Sequence, residues 1–196
     1  ERMMRSFNRE RAIVYNTVQL YRHDRLAFLK DSHAKAVAGG YHLGLKLVRD
    51  AYIKKERARA AEKGYRDPIQ PDKASSDRDY DDALRFCVDH IDRMAVVAGT
   101  HNEQSSLLLA QLMHERNLAH DDARICFSQL LGMSDNISYN LSAAGYRVAK
   151  YVPYGPVREV LPYLIRRAQE NTSAKGQTGR ELGLILAEMR RRKIGQ

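Results

Sequence analysis

With 196 residues, the chain has room for one domain with a full core and is short for two. Hydrophobic residues make up 43% and charged residues 29%, an ordinary globular mix. The longest apolar runs, such as Met94–Ala98, fall far below the roughly 20 residues of a membrane-spanning helix, which excludes that class. Thirty-three Lys and Arg against 24 Asp and Glu leave a net charge of +9, with a basic run at Arg190-Arg191-Arg192-Lys193. Such an excess admits a nucleic-acid or anionic-membrane partner, and most often reflects solvated outer faces of helices.

The opening Glu1-Arg2-Met3-Met4-Arg5 has no initiator methionine and no apolar signal segment, as expected of a piece of a longer chain. A first strand is expected at Ala12–Tyr15. Asp24 then precedes a helix, Arg25–Val37, closed by Gly39-Gly40, and a second strand follows at Leu43–Val48. The stretch Lys54–Arg78 is polar, with turn signals at Asp67-Pro68 and Gln70-Pro71. Further strands are expected at Met94–Ala98, Arg124–Phe127 and Arg147–Tyr151. Helices fit Glu103–Arg116 behind Asn102, Asn136–Ala144 behind Ser134 or Asp135 and closed by Gly145, and Val157–Glu170 behind Pro156. Alternating strands and helices imply a parallel sheet. Apart from one long interval, strand starts recur at about the 30 residues of one unit in an eight-unit barrel, a spacing that a doubly wound sheet also produces.

Each apolar strand runs into polar residues at its C-terminal end: Asn16-Thr17-Val18-Gln19, Arg49-Asp50, Thr100-His101-Asn102, Ser128-Gln129 and Lys150-Tyr151. Parallel α/β folds place their sites at that end, although helix caps and turns also use Asn, Thr, Ser and Asp. Lys46, Arg49 and His101 are poor caps, and they tilt the balance towards a site for something anionic. No glycine-rich dinucleotide fingerprint, phosphate-binding loop or nucleophile elbow is present. Cys87 and Cys126 stand in apolar contexts and read as small buried hydrophobes of a reducing compartment. The seven histidines show no ligand spacing, so no metal site is expected.

Three local patterns are specific. They are Gly44-Leu45-Lys46-Leu47-Val48-Arg49-Asp50-Ala51-Tyr52 with Lys55–Ala60 behind it, Gln129-Leu130-Leu131-Gly132-Met133, and Lys150-Tyr151-Val152-Pro153-Tyr154-Gly155 followed by Pro162–Asn171. In this order and spacing the chain resembles the proline dehydrogenase family in its monofunctional form, and Gln19 and Thr100-His101-Asn102 fit further family positions. The resemblance implies a distorted (β/α)8 TIM-like barrel, of which this chain supplies the last five β/α units and the covering helix within 1–178, then a helical tail over 179–196, all one domain. The first three strands, with their substrate-binding lysine and an aspartate, would lie upstream.

It further implies an FAD-dependent enzyme that oxidises L-proline to 1-pyrroline-5-carboxylate and passes electrons to a quinone. The expected setting is cytoplasmic or peripheral to the inner membrane of a bacterium, or mitochondrial in a eukaryote. By resemblance Arg166 and Arg167 bind the substrate carboxylate, where planar guanidinium forks meet it bidentately, and Glu170 holds an arginine in place. Ala51, Tyr52, Leu130, Tyr151 and Tyr163 would enclose the proline ring, with Tyr151 leaving little room for a ring hydroxyl. Gln19, Lys46, Val48, Arg49, Ala51, Thr100, His101, Asn102 and Gln129 fit flavin-contacting positions. The family normally has glycine where this chain has Asp50, a residue type that tolerates a left-handed backbone better than most.

Three competing readings stand beside this one. The chain by itself would be an inactive fragment, because five strands of eight leave two open parallel edges. A hydroxyproline dehydrogenase is the near neighbour in chemistry. A basic nucleic-acid module fares worst, since the tyrosines fall on apolar strands and helices instead of interleaving with a basic stripe.

Overall fold

The computed structural model describes residues 1–49, 52–173 and 177–193, with side chains described outside 166 and 168–181. The chain forms two units, Glu1–Lys150 and Tyr151–Gln196. In the first, α1 (Arg2–Phe7) leads into β1 (Tyr15–Gln19), α2 (Arg25–Gly39), β2 (Leu43–Val48), α3 (Ile53–Lys63), α4 (Lys73–Asp89), β3 (Met94–Gly99), α5 (Glu103–Glu115), β4 (Ile125–Leu130), α6 (Asp135–Ala143) and β5 (Val148–Tyr151). The five strands form one sheet in chain order, and β1 to β4 pair in parallel. Strand, crossover helix and neighbouring parallel strand, repeated without a jump in order, make a run of consecutive β/α-barrel units.

Strand alternation explains the layering. Leu43, Leu45 and Leu47 of β2, Val96 and Ala98 of β3, and Ile125 and Phe127 of β4 are buried in one cluster with Leu29 and Ala36 of α2, Tyr80, Leu84 and Cys87 of α4, and Leu109 and Met113 of α5. That burial pushes the Cys87 thiol up to about 12, as expected of a packing residue. The residues between them face the other way: register aligns Thr17 with Lys46, Lys46 with Val97 and Val97 with Cys126 in one row across four strands. This opposite face is small or polar, as the inside of a barrel rim would be.

Two sequence expectations need correction. The first strand runs Tyr15–Gln19, not Ala12–Tyr15. Val18 and Leu20 are its helix-facing residues, and the apolar run before it is held instead by the side chain of Asn8, which accepts from the Ile13 and Val14 N–H groups. The residues Asn16–Gln19 and Ser128-Gln129, read as rim clusters, consequently lie inside β1 and β4. The polar stretch Lys54–Arg78 contains most of α3 and the start of α4. Helix α3 buries little besides Ala60, so no apolar stripe marks it, while α4 opens on Asp72, whose carboxylate accepts from the Ser75 N–H at 2.7 Å, and buries serines before its apolar face begins at Tyr80. Elsewhere the boundaries agree to within a few residues. Asp24 precedes α2 as expected, but its carboxylate is taken by Arg22 and Arg25 instead of capping.

In the second unit, α7 (Val157–Ser173) follows Pro156 and carries Pro162 within it, and α8 (Gln177–Arg191) makes the tail helical as far as Arg191. Among the described residues no helix is long and apolar enough to cross a membrane.

Candidate active site at the strand ends

Side chains at the C-terminal ends of β2, β3 and β4 are linked into one hydrogen-bonded band. Arg49, immediately after β2, has a side chain only 5% exposed. Its Nη1 donates to Asp77 Oδ1 at 2.6 Å, its Nη2 donates to Thr100 Oγ1 at 3.0 Å and Ser105 Oγ at 2.6 Å, and its guanidinium carbon lies 4.1 Å from the Tyr80 ring centroid. Burial raises the Tyr80 hydroxyl pKa and the adjacent guanidinium opposes the shift. Thr100 Oγ1 also accepts from the Asn102 N–H, and Asn102 caps α5 by accepting from the Ser105 N–H.

The band continues across β3 to β4. Buried Gln129 donates from Nε2 to the Thr100 carbonyl at 3.2 Å and accepts from Ser138 Oγ at 3.0 Å. His101 Nδ1 lies 3.0 Å from Ser134 Oγ, and Asn136 donates to Glu103, so the loops after β3 and β4 are tied twice. Ser134 holds a left-handed φ of 52°, one residue type that tolerates it poorly without such support. Lys150 donates to the Met133 carbonyl and to Asp135, both at 2.7 Å, fixing the loop that follows Leu130.

On the inner face, Gln19 aligns with Val48, two residues beyond the Thr17–Lys46 pair. Gly99 matters here. A Cβ at 99 would stand 2.9 Å from the Leu47 carbonyl, 3.1 Å from Val48 Cγ1 and 3.3 Å from Lys46 Cε, so only glycine lets Lys46 and Val48 pack this closely against β3. Tyr52 stands at the start of α3 and is half-buried.

In the second unit, the Tyr151 and Tyr163 rings lie with centroids 5.7 Å apart, and the Arg167 guanidinium carbon sits 5.2 Å from the Tyr163 centroid. Tyr163 and Arg167 are one helical turn apart on α7, so the helix itself stacks them. Asp50 and Ala51 lie outside the described residues, as do the side chains of Arg166 and Glu170. Asp77, Asp81, Tyr80, Ser105, Ser134, Ser138 and Lys150 joined the band without being singled out as site residues. Of these, Asp77 and Asp81 carried the only local signal, two carboxylates one turn apart on a single helix face.

A parallel β/α sheet with its polar side chains linked at the strand C-termini has the layout of a β/α-barrel enzyme. Residues 1–180 match the family model described as proline dehydrogenase. The chain is 44% identical over 193 residues to "Proline dehydrogenase 1, mitochondrial" of Homo sapiens, covering 97% of this chain and 32% of that protein. It is 40% identical over 198 residues to "Hydroxyproline dehydrogenase" of Xenopus laevis, covering 99% of this chain and 42% of that protein. The crystal structure of proline utilization A (PutA) from Bdellovibrio bacteriovorus inactivated by N-propargylglycine superposes with a TM-score of 0.75 at 26% identity, over 81% of this chain and 16% of that one. The chain belongs to the proline dehydrogenase family. It spans about a third of the length of the human relative.

Proposed function

We propose that the enzyme containing this chain oxidises L-proline to 1-pyrroline-5-carboxylate, with FAD accepting the hydride and a quinone taking the electrons onward. The observation that carries this reading is the cluster of Tyr151, Tyr163 and Arg167, the two rings tilted by 58° and the guanidinium over Tyr163. Aromatic faces followed by a guanidinium complement a substrate with an apolar ring and a carboxylate. Arg166 would share the carboxylate with Arg167, and Glu170 would hold one of the pair. By the family resemblance Leu130, Ala51 and Tyr52 are also assigned to the proline ring, and Tyr151 favours proline over its hydroxylated analogue.

The residues present fit a flavin. Its chemistry, when bound, is acceptance of the hydride from the ring carbon beside nitrogen. Gln19, Lys46 and Val48 share the inner sheet face with Gly99, Thr100, His101 and Asn102 lie between β3 and α5, and Gln129 lies near the end of β4. Lys46 would place a cation where negative charge accumulates, and water exclusion would strengthen it. Arg49 belongs to the same rim, and its part is taken up below. The net charge of +9 supports peripheral contact with an anionic membrane, in a mitochondrial setting like that in the animal relatives' names or at a bacterial inner membrane.

Among the described residues β1 and β5 each have a single neighbouring strand, so both sheet edges are unpaired, and the chain alone is expected to be inactive. The full-length enzyme is therefore the object to test. Its visible spectrum should show a flavin band that bleaches anaerobically with L-proline, and more slowly with hydroxyproline. A yellow enzyme unchanged by proline would overturn the substrate, a faster response to hydroxyproline would reverse the preference, and a folded enzyme that takes up no FAD would overturn the cofactor.

A further inference from the structure

We propose that Asp77 and Ser105 are positioning residues that hold Arg49 as a strut between the end of β2 and the first turns of α4 and α5, and thereby fix the rim loops on which the cofactor would rest. The functional consequence rests on the flavoenzyme reading above; the strut itself rests on geometry.

Arg49 is almost wholly buried, and both of its terminal nitrogens are engaged by side chains from other elements. Asp77 neutralises it directly. Ser105 Oγ accepts from Arg49 and donates to Asp81 Oδ1 at 2.6 Å, so a second carboxylate is coupled to the same cation through one hydroxyl. Asp77 also accepts from Lys73 at 2.5 Å, on the exposed side of α4. Tyr80 closes the remaining face of the guanidinium. To turn towards a ligand, Arg49 would have to break three charge-assisted hydrogen bonds and leave two carboxylates behind. Its fixed direction instead sets Thr100, whose hydroxyl takes both Arg49 and the Asn102 N–H, and so sets the loop that leads into α5.

A strut and a direct cation give opposite signs when the carboxylate is removed. If Arg49 were the cation presented to the cofactor, deleting Asp77 would unmask its charge and tighten binding of the anionic flavin nucleotide. If Arg49 is a strut, deleting Asp77 loosens the rim and weakens binding. The experiment compares full-length enzyme with its Asp77→Ala, Asp77→Asn and Ser105→Ala variants by amide hydrogen exchange without cofactor and by FAD titration.

Asp77→Ala is expected to speed exchange across residues 99–105 and to weaken FAD binding by about 10- to 100-fold, the size of effect a misplaced supporting group produces. Asp77→Asn should recover part of both, because it keeps an acceptor. Ser105→Ala, the smaller lesion, should shift both measurements in the same direction, and it serves as the second variant should Asp77→Ala fail to fold. Unchanged exchange in these variants, or tighter FAD binding, would overturn the proposal. An unmodified enzyme that bound no FAD would overturn the flavoenzyme reading, while the exchange comparison would still decide whether Asp77 holds the loops.

Discussion

Lys46→Met in the full-length enzyme is expected to slow proline-dependent flavin reduction by about 10²- to 10³-fold, the usual loss when one preorganised electrostatic group is removed from a developing charge. Lys46 lies in the middle of the inner-face row, between Thr17 and Val97, with its Cε within 3.3 Å of where a Gly99 Cβ would stand. The aliphatic stem is therefore laid along the sheet towards the strand ends, and methionine keeps most of that stem while removing the charge. The thermal midpoint should stay close to that of the unmodified enzyme, since the core is built on the other face from the leucines of β2.

Rapid mixing with L-proline under anaerobic conditions measures the rate directly. A rate unchanged by the substitution would place Lys46 away from the reacting centre. Gly99→Ala is the companion variant. Its new methyl group meets the Leu47 carbonyl at 2.9 Å as well as Lys46, so it should lower both the rate and the stability, separating crowding from loss of charge.

Asn8→Ala is expected to be strongly destabilising for a polar substitution, at about 3 kcal/mol, read as a lowered thermal midpoint. Asn8 is fully buried and its amide makes four bonds: it donates to the Val14 and His42 carbonyls at 2.8 and 2.9 Å, and accepts from the Ile13 and Val14 N–H groups at 3.0 and 2.8 Å. Its own carbonyl also accepts from the His42 N–H. One side chain thus pins the segment before β1 to the start of β2. Alanine would leave those backbone groups without their side-chain partner. Asn8→Asp should be no better, because a carboxylate would face two carbonyl oxygens that now receive N–H donors. A scan of full-length enzyme reads the effect, and a midpoint within about 2 °C of the parent would mean that water or a backbone shift replaces the amide.

Much of this architecture was legible from local pattern. The runs Leu43–Val48 and Met94–Ala98 became β2 and nearly all of β3, because alternate leucines of the first and the wholly apolar second supply the face that a strand buries against helices. Asn102 and Gly40 read correctly as a helix start and stop, since capping and left-handed turns are satisfied within a few residues. Motifs carried the family, and the site roles of Lys46, Val48, Tyr163 and Arg167 are proposed through it. Where an element was not locally marked, the reading failed: β1 was displaced because Asn16, Thr17 and Gln19 leave Val18 as its one buried residue, and α3 and α4 were missed because their early turns are polar.

What the sequence determined on its own was the alternation of strands and helices, the family, and the residue types available for a carboxylate and an anionic cofactor. Tertiary structure alone decided which of those residues are already committed. Arg49 finds Asp77 28 positions away, Thr100 51 away and Ser105 56 away, partners that no periodicity or spacing could name. Register did the same for Lys46, Val97 and Cys126, which share one row only because three strands stack in step. Local sequence sets backbone preference over a few residues, whereas charge pairing and face sharing depend on how whole elements pack, and that is fixed by the fold.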